Sequence, residues 1–249
     1  ERIKNLLYVI LEFICSIILG MIQSMFRNIS DRMLGFIFMP FFVWAAYALC
    51  YKASGGHLNP ILSVASMLRN DKTENYNYWR VLCYIPAQFG GFFLGVLCQL
   101  WFDQSAVQLR FPAKPGNSDE YFWSEPTGYE FFVAIVFTLI WLFQTGRNTP
   151  VSEDKGTQTF FIAIAYGTLL ALGRKLTFTA QLTYNVASLN PAYAFAQCFW
   201  DAVDNEDGDA FKFFGNLIAA EFVGMGVAVL LYDFIFTKAE NREREVDKQ

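Results

Sequence analysis

The stretch His57-Leu58-Asn59-Pro60-Ile61 returns in the second half of the chain as Ser188-Leu189-Asn190-Pro191-Ala192, and this pair decides the fold. Each copy puts an Asn where a helix N-cap is wanted and a Pro at the first helical position, where a missing N–H costs nothing. Both therefore announce helix starts. The apolar segments that follow, 61–68 and 192–201, are two to three turns long, too short to cross a bilayer core of about 30 Å. They read as half-helices, and paired half-helices in corresponding halves of a membrane protein point to a polar path near the midplane.

The surrounding composition supplies the membrane. The 249 residues are 54% apolar and 18% aromatic with 17% charged, and the mean hydropathy is +0.28. Working outward from the two motifs, six apolar blocks of 14 to 24 residues read as spanning helices: Leu6 to Met25, Met33 to Tyr51, Trp79 to Phe102, Tyr129 to Gln144, Thr159 to Leu172 and Phe213 to Phe236. A soluble fold would need far more polar sequence to cover them. The reading is an integral, multi-pass, all-α membrane protein. With the N-terminus inside, twelve of the 19 Lys and Arg residues fall on the inner side and seven on the outer, which favours both termini facing the cytoplasm or its equivalent. The net charge of −4 says little. The five cysteines (Cys15, Cys50, Cys83, Cys98, Cys198) lie in apolar blocks or in the second half-helix without metal-ligand spacing, and read as packing residues. The chain opens at Glu1 rather than Met, which leaves room for a preceding leader.

The landmarks repeat in order. Glu12-Phe13 lies in the first block and Glu130-Phe131 in the fourth. An intramembrane carboxylate is expensive enough to be functional by default. Ala87-Gln88-Phe89-Gly90-Gly91 follows the first Asn-Pro motif, and Ala220-Glu221-Phe222-Val223-Gly224 follows the second. An internal duplication is the economical explanation. The domain reading is a single unit: a first repeat over about 5–102, a Pro/Gly-bearing linker over about 103–128, a second repeat over about 129–237, and a charged tail 238–249. An odd number of crossings per half inverts the second copy, so the half-helices enter from opposite faces and meet tip to tip. Glu12 and Glu130 are then expected to brace the re-entrant loops, whose backbone needs buried partners.

These residues resemble the aquaporin and aquaglyceroporin family of major intrinsic proteins over essentially Glu12 to Phe236. The likeness rests on the two glutamates, Ser54-Gly55-Gly56-His57-Leu58-Asn59-Pro60, Tyr84-Ile85-Pro86-Ala87-Gln88, Ser188-Leu189-Asn190-Pro191-Ala192 and Leu230-Leu231-Tyr232-Asp233-Phe234. The resemblance implies a passive pore through each protomer of a homotetramer. Asn59 and Asn190 would donate amide hydrogens to a central water or small uncharged solute, breaking the proton wire, since only donors face that point. It also implies that His57, the single histidine, braces its loop by hydrogen bonding to backbone.

The departures bear on the filter. The family's usual Arg after the second motif is replaced by Tyr193, and the glycine-proline pair that follows it is absent. This removes a cation and five donors from the outer constriction. Leu172-Gly173-Arg174 falls where water-selective members place a Leu-Gly-His run, whereas counting back from Asn190 without gaps gives Phe178. One expectation has Arg174 swing into the mouth as the missing cation; the plainer one keeps it at the membrane interface. Met39 or its neighbour Phe38, with Phe178, Ala187 and Tyr193, then makes an apolar, aromatic ring. Ala194 stands where glycerol-conducting members carry Asp, which weakens a glycerol reading.

Two functions follow: a channel for water or small neutral solutes, or a non-conducting structural subunit of a larger membrane complex. A third reading, a secondary transporter titrating Glu221, shares the inverted repeats. Catalytic, metal, cofactor and nucleic-acid-binding signatures are absent from the sequence, so it does not read as an enzyme.

Overall fold

Helix α1 (Arg2–Arg27) shows how this sequence sorts itself. Among its exposed side chains, Ile3, Leu6, Leu7, Ile10 and Ile14 recur at three- and four-residue steps as an aliphatic stripe, while Glu12, Ser16 and Gln23 on the other side are buried. A surface helix in water has the opposite arrangement. Lipid outside and polar contacts inside account for the inversion.

The computed structural model describes residues 2–27, 32–72, 76–102, 113–114, 117–121, 124–146, 149–176, 188–204, 211–212 and 214–237. After α1 come α2 (Arg32–Ser54), α3 (Pro60–Leu68), α4 (Tyr78–Phe102), α5 (Ser124–Thr145), α6 (Lys155–Leu176), α7 (Pro191–Asp204) and α8 (Phe214–Leu231). Six are long and apolar enough to cross a membrane, and each contains most of one expected block. The half-helices are α3 and α7. The last block differs from expectation, since α8 passes at Tyr232 into a π-helical turn that runs to Thr237. The linker also differs, because Ala113–Lys114 (β1) pairs antiparallel with Asn117–Tyr121 (β2) and α5 already begins at Ser124. The charged tail lies outside the described residues.

Three close helix pairs build the frame: α1 with α4, α5 with α8, and α2 with α6. The first two are matched in detail. A Cβ on Gly91 of α4 would stand 2.5 Å from the Phe13 carbonyl oxygen, and one on Gly224 of α8 would stand 2.5 Å from that of Phe131. Each glycine thus admits the backbone of the residue that follows a buried glutamate, as small residues do where membrane helices approach. In the third pair, Gly167 of α6 lies against the Pro40 ring of α2. The half-helix α3 packs on α4, α5 and α8, while α7 packs on α4 and α8. All five cysteines are free thiols.

Candidate functional site: the asparagine tips of two half-helices

The two half-helices start with the same local chemistry. Asn59 is extended (φ −158°, ψ 126°), caps α3 by accepting from the Ile61 N–H at 3.1 Å, and is followed by Pro60 at the first turn. Asn190 accepts from the N–H of Ala192 at 3.0 Å and of Tyr193 at 3.4 Å, ahead of Pro191. With Oδ1 committed to its own helix, each amide Nδ2 reaches across the molecule. Asn59 donates to the Leu189 carbonyl at 2.7 Å, and Asn190 donates to the Leu58 carbonyl at 2.9 Å. The two tips therefore meet at one spot, each bound to the loop that caps the other.

The loops before the tips hold unusual backbone. Leu58 (φ 46°) and Leu189 (φ 49°) both adopt the left-handed conformation, which costs a Leu roughly 1–2 kcal/mol. Buried carboxylates fix that geometry. Glu12 accepts from the N–H groups of His57 (3.0 Å) and Leu58 (2.8 Å), from Ser54 Oγ (2.5 Å) and from Gln88 Nε2 (3.0 Å). Cys50 Sγ joins at 3.4 Å, so this thiol belongs to the polar network and is more than packing. Glu130 accepts from the N–H groups of Ser188 (2.6 Å) and Leu189 (3.0 Å). The repeats diverge at the next residue. Gln88 donates an amide to Glu12, but its counterpart Glu221 offers a second carboxyl beside Glu130 and accepts from Ser188 Oγ at 2.7 Å.

His57 does not bond backbone through its ring as expected. Its Nδ1 pairs with Ser63 Oγ at 3.1 Å, and the ring meets Tyr84 and Trp141 edge-on at 5.2 and 5.3 Å. The loop is braced by the His57 N–H rather than by the imidazole. Of the two candidates on α2, Met39 is 1% exposed and Phe38 is 46% exposed. Phe38 therefore lies on the outer surface, because one residue turns a helical side chain about 100°. Phe178 and Ala187 lie outside the described residues, as does the side chain of Arg174, whose backbone continues α6.

Tyr193 is 2% exposed and points across the bundle. Its hydroxyl accepts from Ser24 Oγ at 3.5 Å, its ring meets Phe92 at 6.0 Å, and Gln197 Nε2 donates to Ser24 at 3.3 Å. The sequence reading missed Tyr166 of α6. Its hydroxyl accepts from Gln23 Nε2, beside the Ser24 that bonds Tyr193. Its ring packs on Phe137 at 4.9 Å and on Tyr47 at 6.3 Å. A Tyr at membrane depth, away from the interfacial belts where Tyr concentrates, was the available signal. Tyr166, Asn59 and Asn190 are all 0% exposed. On the Asn59 side the bundle opens into a cavity of about 590 Å³ lined by Tyr51, Ser54, His57, Arg69, Arg80 and Trp141 among others.

The family model for the major intrinsic protein family matches residues 1–232. The chain belongs to that family. Among solved structures it is similar to the X-ray structure of the aquaglyceroporin from Plasmodium falciparum, with a TM-score of 0.65 and 16% sequence identity over 94% of this chain and 97% of that one. At that identity the likeness speaks for the fold alone. No curated protein matches.

Proposed function

We propose that this chain is a passive transmembrane channel for water or small neutral solutes, with Tyr166 and Tyr193 as an aromatic gate. The observation that carries the reading is the reciprocal bonding of Asn59 and Asn190. It brings two half-helix N-termini, each worth about half a positive charge, to one point furnished with amide donors. A water there is pressed to orient its oxygen toward the donors, so a proton wire cannot pass through it and cations are repelled. The path runs from the open cavity past His57 to the asparagines and on past Tyr193. Met39 is its wall on α2, and Glu12 and Glu130 hold the loops open. The end of the bundle that carries Lys52, Arg69 and Lys155 faces the cytoplasm, as do both termini. The resemblance adds a homotetramer, with lipid on the aliphatic outer faces.

In the gated state α1 holds both phenols across the path, Gln23 bonding the Tyr166 hydroxyl and Ser24 that of Tyr193. The test is osmotic shrinkage of proteoliposomes followed by stopped-flow light scattering. Tyr166→Phe combined with Tyr193→Ala is expected to raise water permeability well above both wild type and bare lipid. One observation favours the second reading, a non-conducting structural subunit: solvent reaches neither asparagine. That reading expects the lipid rate in every variant.

A further inference from the structure

The cavity that opens beside His57 has a chemistry the pathway does not require. Lys52, Arg69, Arg80 and Lys155 all contribute to its wall, and among the described residues that line it there is no carboxylate. The acids nearby are committed elsewhere or lie outside it. Asp71 pairs with Arg69 at 3.2 Å, exposed Asp154 accepts from the N–H and hydroxyl of Thr157, and Glu12 behind the floor is saturated by the donors already named. Lys155 lies over the Tyr51 ring and bonds Gln158 at 3.2 Å. The Arg80 guanidinium lies 5.2 Å from the Tyr8 ring. Two buried donors at this wall, Arg80 Nε and the Trp141 indole N–H, have no hydrogen-bond partner among the described residues.

A concave wall of one charge sign focuses its field into the cavity, and unsatisfied buried donors call for acceptors. Guanidinium groups match phosphate oxygens through parallel N–H bonds. A volume of about 590 Å³ falls in the range of small-molecule sites and exceeds what a lone halide would fill. We propose that this vestibule is a binding site for a phosphate monoester, held by Arg80 and Lys52 with support from Arg69 and Lys155. The group comes either on a soluble metabolite or on a phospholipid headgroup of the adjoining leaflet. It would sit at the mouth of the path, over His57.

The proposal does not depend on conduction, since binding is read without transport. The experiment is isothermal titration of the full chain in phosphatidylcholine nanodiscs with inorganic phosphate in chloride buffer, repeated as binding to vesicles containing phosphatidylinositol 4-phosphate. Saturable binding in the first arm marks a soluble source, and binding in the second arm alone marks the lipid. In either arm Arg80→Gln and Lys52→Gln are each expected to weaken binding about tenfold, the usual loss of one charge-assisted contact. Lys52 is exposed, so its variant reports on the site even if Arg80→Gln misfolds. No saturable binding in either arm, or unchanged affinity in Lys52→Gln and any folded Arg80→Gln protein, overturns the assignment.

Discussion

Asn59 and Asn190 each serve two partners with one side chain, the oxygen capping a helix and the nitrogen tying the opposite loop. Substitution by Asp separates the two roles, because Asp is as good an N-cap as Asn but has no amide to donate. Asn190→Asp therefore keeps the cap, leaves the Leu58 carbonyl without its donor, and sets a carboxylate near it. The expected loss is about 1–3 kcal/mol, seen as a lower melting temperature in detergent. An unchanged melting temperature would mean that the cross-loop bond is not held. Glu221 gives a prediction of opposite sign. A carboxyl can fill the role of Gln88's amide only when protonated, whereas Glu221→Gln supplies the donor directly. That variant is expected to melt at or above wild type, and a drop would show that the second repeat is not built like the first. Leu58 illustrates how magnitudes decide. Leu58→Gly relieves roughly 1–2 kcal/mol of left-handed strain but removes a fully buried side chain worth about 2–5 kcal/mol, so the net change should be a loss. The asparagines, prolines and glutamates were legible because their chemistry is local or costly in lipid. Tyr166 was not, because nothing in its neighbours along the chain says that its hydroxyl meets Gln23 of α1.

Among the elements, α5 and α8 cross through Gly224, while Gly226 two residues on has open space around its Cβ position. Gly224→Ala is expected to cost about 1–3 kcal/mol by overpacking. Gly226→Ala should be neutral or stabilising, since Ala is the better helix former. Equal melting temperatures for the two would contradict the close crossing. The start of α6 carries a pH-dependent prediction. Asp154 accepts from the N–H and hydroxyl of Thr157 at 2.7 and 2.9 Å, and these bonds hold its carboxyl below the usual range. Its contribution is therefore present above the ordinary carboxylate pKa and is lost as pH falls through the lowered value. Hydrogen exchange at Thr157 should quicken over that acid range in wild type and be already fast, and less pH-sensitive beyond intrinsic exchange, in Asp154→Ala. The element starts at Asn59 and Asn190 were readable to a residue because Asn-Pro is strong local punctuation. The π-helical turn at Tyr232 and the strand pair in the linker were not, since neither leaves a periodicity distinct from helix or loop.

At the scale of the molecule, the six spans and the inverted repeat followed from hydrophobic length and from ordered landmarks, which survive without any knowledge of packing. Which side chains close the centre did not follow. Met39 and Phe38 are equally apolar, and only the helix phase in the folded bundle puts one inside and the other toward lipid. The vestibule was likewise invisible, because Lys52, Arg69, Arg80 and Lys155 come from separate stretches and meet only when the bundle forms. The same assembly gathers a wide, basic mouth beside His57 and buries Tyr166 and Tyr193 against α1, the arrangement on which the proposed gate rests. The most direct measurement is the osmotic water permeability of proteoliposomes carrying wild type or the Tyr166→Phe, Tyr193→Ala protein, with folding checked by melting temperature. The account predicts a permeability in the folded double variant several-fold above bare lipid. A folded double variant that shrinks at the bare-lipid rate would contradict it and leave the chain a structural member of its family.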